Sequence, residues 1–224
     1  MAKQNINQKG TDLDAALQEG FFQKNLKKIV ICCGIVVALV IAGILCHMWM
    51  KQRAEKAAEA LFPCEQYFQQ GNYEKALNGD GQECAGLLAV ADQYGCTKSG
   101  NLAKLYAGLS YAQLGKFEDA QKYLDDFSSK GDEMVSPAAL GALGNVKAEL
   151  GQNEEAAETL LKAAKKADNN VLSPLYLIQA GEIYESLGQK DKALELYEQV
   201  KDNYRGSMLA GEIDKYIERA QRAK

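Results

Sequence analysis

The sequence predicts an all-α protein: an N-terminal transmembrane helix followed by an α-solenoid of about four helix pairs, the first of them interrupted, with a C-terminal capping helix. Three observations carry this expectation. An 18-residue stretch, residues 29–46, contains no polar or charged side chain. Four glycines in similar settings recur at spacings of 44, 36 and 37 residues. The 224 residues are 47 % hydrophobic and 25 % charged, an ordinary globular mix that excludes collagen-like and disordered chains, yet they hold only one His and three Pro. A mean hydropathy of -0.30 is therefore an average over an anchor and a polar remainder.

The first element is a polar segment, residues 1–28. Thr11 and Asp14 resemble a capping box ahead of Ala15, Ala16 and Leu17, so a short helix is expected there. The apolar run continues through His47, Met48, Trp49 and Met50, which makes 22 residues. At 1.5 Å per residue that is roughly 33 Å of helix, enough to cross a bilayer core. Lys27 and Lys28 close the run on one side, Lys51 and Arg53 on the other, and Trp49 sits where an interfacial aromatic would. The run is longer than the roughly 7–15 apolar residues of a secretory leader, and no small-x-small cleavage site follows it. Leu45 stands where lipidation of Cys46 would need a small residue. Residues 29–50 are thus expected to be an uncleaved span. Lys9, Lys24, Lys27 and Lys28 before it and Lys51, Arg53 and Lys56 after it leave its orientation undecided by charge. Gly34, Ala38, Ala42 and Cys46 recur every fourth residue, a face where a second helix can approach closely for weak self-association. The plain alternative is that small residues are common in spans.

The solenoid is expected over residues 51–206. Its register is set by Gln70-Gly71-Asn72-Tyr73, Leu114-Gly115-Lys116-Phe117, Leu150-Gly151-Gln152-Asn153 and Leu187-Gly188-Gln189-Lys190. Four residues before each glycine stand Tyr67, Tyr111, Lys147 and Tyr184, and five after it Ala76, Ala120, Ala156 and Ala193. Seven before, the last three units have Gly108, Gly144 and Gly181; nine after, they have Leu124, Leu160 and Tyr197. Gly or Ala on each helix lets two antiparallel helices approach closely, and the turn glycine can take the positive φ that ends a helix. The pattern resembles the tetratricopeptide repeat, a helix-turn-helix unit of about 34 residues.

Ser136-Pro137 and Ser173-Pro174, also 37 residues apart, read as an N-cap Ser followed by Pro at the first helical position. Pro63 falls inside the first helix of the first repeat, where it is expected to kink or restart it. Asn78-Gly79-Asp80-Gly81-Gln82 should interrupt the second helix of that repeat as a turn rather than a calcium loop, with a new amphipathic stretch over residues 87–94. Ser207 is expected to cap the last helix, residues 207–224, with Leu209, Ile213, Tyr216, Ile217 and Ala220 on one face.

Enzyme chemistry is not expected. The only His, His47, lies at the edge of the span, so the repeats have none for a hydrolytic triad or a zinc site, and no phosphate-binding glycine loop occurs. No cofactor and no metal site are implied. Cys32, Cys33 and Cys46 lie within the span; Cys64, Cys84 and Cys96 follow it. Cys84 and Cys96 flank a predicted helix of about 15 Å, too far for a direct bond, while Cys64 can pair with either; three cysteines do not read as a disulfide framework. From residue 51 onward 21 Lys and Arg stand against 27 Asp and Glu, a net charge of -6 that opposes nucleic acid and anionic lipid surfaces.

Function is therefore expected in surface shape, on the concave face that solenoids present. Positions 13, 10 and 6 before the turn glycine put Leu102, Leu105 and Leu109 there in the second repeat, Ala138, Gly141 and Asn145 in the third, and Leu175, Ile178 and Glu182 in the fourth. No Lys or Arg occupies these sites, so a clamp for a chaperone's terminal carboxylate is not expected. The leucines and Ile178 would hold an apolar segment of a partner or an unfolded client, or else be buried between repeats. The candidate binding residues are Leu102, Leu105, Leu109, Asn145, Leu175, Ile178 and Glu182.

The tail, the span, the Ala76-Leu77-Asn78-Gly79-Asp80-Gly81 break, Lys98-Ser99-Gly100-Asn101-Leu102-Ala103, Leu105-Tyr106-Ala107-Gly108 and Asp214-Lys215-Tyr216-Ile217 together resemble the YfgM-like family of membrane-anchored tetratricopeptide proteins, particularly bacteroidete members. Pro63 departs from that family's uninterrupted helix. The resemblance implies a bacterial inner-membrane protein with a cytoplasmic N terminus and periplasmic repeats. It also implies partners: the Sec translocon and a membrane-anchored periplasmic chaperone, in protein export. The alternative is an organiser of envelope division or assembly with no role in export.

Overall fold

The computed structural model describes residues 2–129 and 131–222, with side chains from Asn25 onward. All regular elements among them are helical. They are α1 (Ala2–Gln69), α2 (Tyr73–Asn78), α3 (Leu87–Tyr94), α4 (Lys98–Gln113), α5 (Phe117–Asp125), α6 (Val135–Glu149), α7 (Asn153–Ala167), α8 (Leu172–Ser186), α9 (Lys190–Asn203), a short 3-10 turn (Met208–Gly211) and α10 (Ile213–Arg222). The chain divides into two compact units, Met1–Gln52 and Arg53–Lys224.

The first unit lies within α1. Among the described residues its large apolar side chains are exposed, Leu39 to 67 % and Val30 to 62 %. This is the one helix among the described residues long and apolar enough to cross a membrane. The helix expected behind the Thr11 and Asp14 box is part of α1, and those two side chains lie outside the described residues.

In the second unit the repeat register becomes packing. The four turn glycines all have positive φ: Gly71 75°, Gly115 71°, Gly151 75° and Gly188 73°. Each closes the same C-terminal motif, with the next residue's N–H reaching back to the carbonyl five residues earlier, as Asn72 to Tyr67 at 2.9 Å and Gln189 to Tyr184 at 2.8 Å. Five residues on, Ala76, Ala120, Ala156 and Ala193 are fully buried. The cores follow the chain in sequence. One joins α1, α2, α3 and α4, a second α4, α5 and α6, and a third α7 through α10.

Three expectations are corrected. Pro63 does not restart its helix; α1 runs through it to Gln69. Ala57, Leu61 and Cys64 form a buried helical face on both sides of the proline, and that packing offsets the lost hydrogen bond. Ser136 and Ser173 are not N-caps but sit one residue inside α6 and α8. The capping oxygens come from four residues earlier. Asp132 Oδ1 accepts from the N–H groups of Met134 and Ser136, and Asn169 Oδ1 from those of Val171 and Leu172. Pro137 and Pro174 still fall in the first turn, where the missing donor has no intrahelical partner to lose. Ser207 caps the 3-10 turn, accepting from the Leu209 N–H at 3.2 Å, and α10 starts only at Ile213.

The structure also decides between the two pairings open to Cys64. Cys64 of α1 is disulfide-bonded to Cys84, with Cα atoms 5.2 Å apart, while Cys96 is free and exposed. The break in the first repeat makes this possible. The chain turns at Gly79 and re-enters at Gly86, both at positive φ, and Asp80 ties the loop between them. Its Oδ1 accepts from the N–H groups of Gln82 and Cys84, and its Oδ2 from the Tyr67 hydroxyl at 2.9 Å. Those donors hold the Asp80 carboxyl below its ordinary range.

Candidate protein-binding cleft

The seven candidate residues separate into three groups. Leu105 and Ile178, expected on an open face, are core: 6 % and 4 % exposed, within the packing between successive helices. Apolar side chains at these positions are drawn into the adjoining repeat, which covers them. Leu102 and Leu109 are half-buried against the same cores. Leu175, Asn145 and Glu182 remain exposed.

Asn145 and Glu182 are brought together. They line one cleft of about 560 Å³ between α6 and α8, with Ala148 and Glu149 on the first helix and Gln179 and Ile183 on the second. The register explains the pairing, because both stand six residues before their turn glycine, so successive helices present them side by side. The second repeat has Leu109 at that position, so the polar character begins at the third. Among its lining residues the cleft holds two carboxylates, Glu149 and Glu182, and no cation. Gln179 Oε1 is closed off from solvent and accepts no hydrogen bond among the described residues.

Beyond the cleft, α10 supplies a cation. Arg219 Nη2 is 3.5 Å from Glu182 Oε1, and its Nε donates to Glu185 Oε2 at 3.0 Å. The Tyr197 hydroxyl donates to the same Glu185 oxygen at 2.9 Å. The Glu185 hydrogen bond raises Arg219 above its ordinary range, and burial, followed by Glu185, raises the Tyr197 phenol. No group of three or more His, Cys, Asp or Glu able to hold a metal occurs among the described residues. The arrangement offers hydrogen bonding and negative charge along a groove, which suits holding a polypeptide.

A profile of the tetratricopeptide repeat-like domain matches residues 19–214. The chain belongs to the tetratricopeptide repeat-like family. Members of this fold are typically non-enzymatic protein-interaction scaffolds, so this tetratricopeptide repeat-like protein is read as binding protein partners. The solved structure of the "nearly identical TPR-like repeats" of a kinesin light chain from Podosopora anserina is similar at 17 % identity and a TM-score of 0.55. The match covers 78 % of this chain and 86 % of that one. A substituted form of the same kinesin light chain repeats matches at the same identity and TM-score, with 85 % of that chain covered. At this identity the likeness concerns the fold alone. No curated protein matches the sequence.

The repeat spacing also generates a row that sequence reasoning passed over. Met134, Val171 and Met208 follow one another at intervals of 37 residues and are 53 %, 66 % and 96 % exposed. The row follows the same 37-residue interval that separates Ser136 from Ser173.

Proposed function

We propose that this tetratricopeptide repeat-like protein is a scaffold anchored by residues 29–50 in a bacterial inner membrane, with its N terminus in the cytoplasm and its repeats in the periplasm. There it associates with the Sec translocon and a membrane-anchored periplasmic chaperone, and holds partners or unfolded clients during protein export. The observation that carries the placement is the Cys64–Cys84 bond. Disulfides persist in oxidising compartments and are rare in reducing cytosol, so a bond made by residues after the span favours their lying outside the cytoplasm. The resemblance to YfgM-like proteins supports the choice of partners, and the cleft at Asn145 and Glu182 supplies a surface to meet them.

Two measurements on intact cells test this. A membrane-impermeant maleimide should label exposed Cys96 from outside and fail to label a cysteine introduced at Lys9; the reverse pattern overturns the orientation. Photocrosslinkers at Asn145 and Glu182 should capture translocon or chaperone subunits. Reproducible capture of division or envelope-assembly proteins instead would replace the export role with an organising one.

A further inference from the structure

The loop that interrupts the first repeat fixes the backbone of Cys84 without using its sulfur. We propose that this loop, residues 79–86, is a template for disulfide formation: Asp80 and the flanking glycines present Cys84 to Cys64 of α1 before the bond exists, so that oxidation of the folded chain joins these two cysteines and leaves Cys96 free. Asp80 thereby acts as a positioning residue that selects which thiols meet.

Four features support it. Asp80 holds both backbone polar groups of Cys84: its Oδ1 accepts from the Cys84 N–H at 3.0 Å and from the Gln82 N–H at 2.9 Å, and its own N–H donates to the Cys84 carbonyl at 3.1 Å. The acceptor is a carboxylate, so these are the stronger, charge-assisted kind of hydrogen bond. The Tyr67 hydroxyl, three residues beyond Cys64 on the same helix, donates to Asp80 Oδ2 at 2.9 Å and anchors the loop beside the thiol it serves. The neck of the loop admits only glycine. A Cβ on Gly86 would lie 2.6 Å from the Leu77 carbonyl oxygen and one on Gly79 would collide with the Cys84 carbonyl oxygen, and both residues have positive φ, 94° and 87°. Finally, the Gly86 N–H donates to Cys64 Sγ at 3.3 Å, which registers the loop on the sulfur that Cys84 must reach.

Chain statistics alone would choose differently. Cys84 and Cys96 are 12 residues apart, Cys64 and Cys84 20, and Cys64 and Cys96 32. In an unfolded chain, loop-closure entropy therefore favours Cys84–Cys96 about twofold over the native pairing, and the native pairing about twofold over Cys64–Cys96. Folding forbids the shortest loop: the 8 residues of α3 separate Cys84 from Cys96 by a helix of about 12 Å, beyond the reach of a direct bond. Thr97 closes the far end of that helix, donating to the Tyr94 carbonyl at 2.8 Å and accepting from the Gly100 N–H at 3.0 Å, with Cys96 left exposed. The oxidant is a small-molecule disulfide such as glutathione disulfide. One cysteine thiolate attacks it and releases a glutathione thiolate, which takes up the proton that cysteine gave up. The second cysteine displaces the other glutathione from the mixed disulfide in the same way, so two thiols are oxidised and one disulfide is reduced to two thiols. Because Cys64 and Cys84 are buried, exchange proceeds through brief openings of the loop, which closes again with Cys84 in register.

The test uses the full chain in detergent micelles, with Cys32→Ala, Cys33→Ala and Cys46→Ala removing the thiols of the span, reduced and then reoxidised with glutathione disulfide. Digestion without reductant and mass spectrometry count the three pairings. Under native conditions nearly all of the product should be Cys64–Cys84, whereas in denaturant Cys84–Cys96 should exceed it about twofold. Asp80→Ala should lower the native ratio of Cys64–Cys84 to Cys84–Cys96 about tenfold, the worth of one charge-assisted hydrogen bond. Asp80→Asn, which keeps the Oδ1 acceptor, should restore most of it. Asp132→Ala, which removes a comparable carboxylate cap at α6, should pair its cysteines as the parent does. Equal mispairing in Asp80→Ala and Asp132→Ala means that any loss of stability scrambles the cysteines, and overturns the proposal. An unchanged ratio in Asp80→Ala overturns it too, as does native pairing that dominates in denaturant. Should Asp80→Ala lose its helical circular dichroism, Tyr67→Phe, which removes only the anchor to α1, should shift the same ratio in the same direction by a smaller factor; no shift there overturns the proposal as well.

Discussion

Gly144 of α6 faces Leu160 of α7 so closely that a Cβ built on the glycine would lie 2.7 Å from Leu160 Cγ and 3.3 Å from the Ala156 carbonyl oxygen. Gly108 meets Leu124 in the same way at 2.6 Å, and Gly181 sits against the Tyr197 ring. Each pair is 16 residues apart, one on each helix of a repeat, so the glycine is what lets the two helices close.

Gly144→Ala should therefore destabilise the protein although alanine is the better helix former. The propensity gain is about 1 kcal/mol. It is outweighed by overpacking against a buried branch point and a backbone carbonyl, for a net loss of about 1–2 kcal/mol. Denaturant midpoints measure it. Adding Leu160→Ala should cost less in the Gly144→Ala background than in the parent, where it opens a cavity, so the pair is non-additive.

Replacing Cys64 and Cys84 with alanine should cost about 3 kcal/mol, the loop-entropy figure for a bridge closing about 20 residues. In a solenoid each unit contacts only its neighbours, so the loss should be local. Hydrogen exchange should rise in α2, α3 and the end of α1, and proteolysis should begin in residues 79–86, while α8 and α9 keep their protection. Uniform loss across all helices would contradict this.

The helix pairs were legible because their signals are local and repeated: Gly71, Gly115, Gly151 and Gly188 need positive φ, and Ala76, Ala120, Ala156 and Ala193 need to be small, whatever surrounds them. Pro63 does not restart α1 because the packing of Leu61 and Cys64 on either side holds the helix together through it. The caps of α6 and α8 were misplaced because Asp132 and Asn169 reach forward from outside the helix to do what the serines were expected to do. The bond between Cys64 and Cys84 was left open because the reversal between Gly79 and Gly86, rather than helix spacing, brings the two together. The binding face was half legible. Register placed Asn145 and Glu182 side by side, but an apolar residue on that face, such as Leu105 or Ile178, is equally suited to the seam between repeats, and only the packed neighbour decides.

Asp132 gives a pH dependence with a definite sign. Hydrogen bonds from the Ser136 hydroxyl, then from backbone N–H groups at the start of α6, bring its carboxyl down to about 2. A carboxyl depressed on folding contributes stability that is present above its unfolded value near 3.8 and lost as pH falls toward about 2. Asp132→Asn keeps an amide oxygen for the cap, as Asn169 has in the next repeat, but lacks the charge, so it should lose the charge-dependent part of that stability at neutral pH and flatten the melting-temperature curve in that acid window. Asp132→Ala should cost about 1 kcal/mol at pH 7, the usual value of a helix cap.

Arg219 ties α10 to α8 through a forked contact with Glu185, Nε donating to Oε2 at 3.0 Å and Nη2 to the same carboxylate, with the Tyr197 hydroxyl on the other side. Because the Arg219 side chain is half exposed, at 51 %, its removal as Arg219→Ala should destabilise the capping helix by only about 1 kcal/mol. Arg219→Lys should recover little of that, because an ammonium cannot reproduce the fork. Hydrogen exchange in α10 would report both.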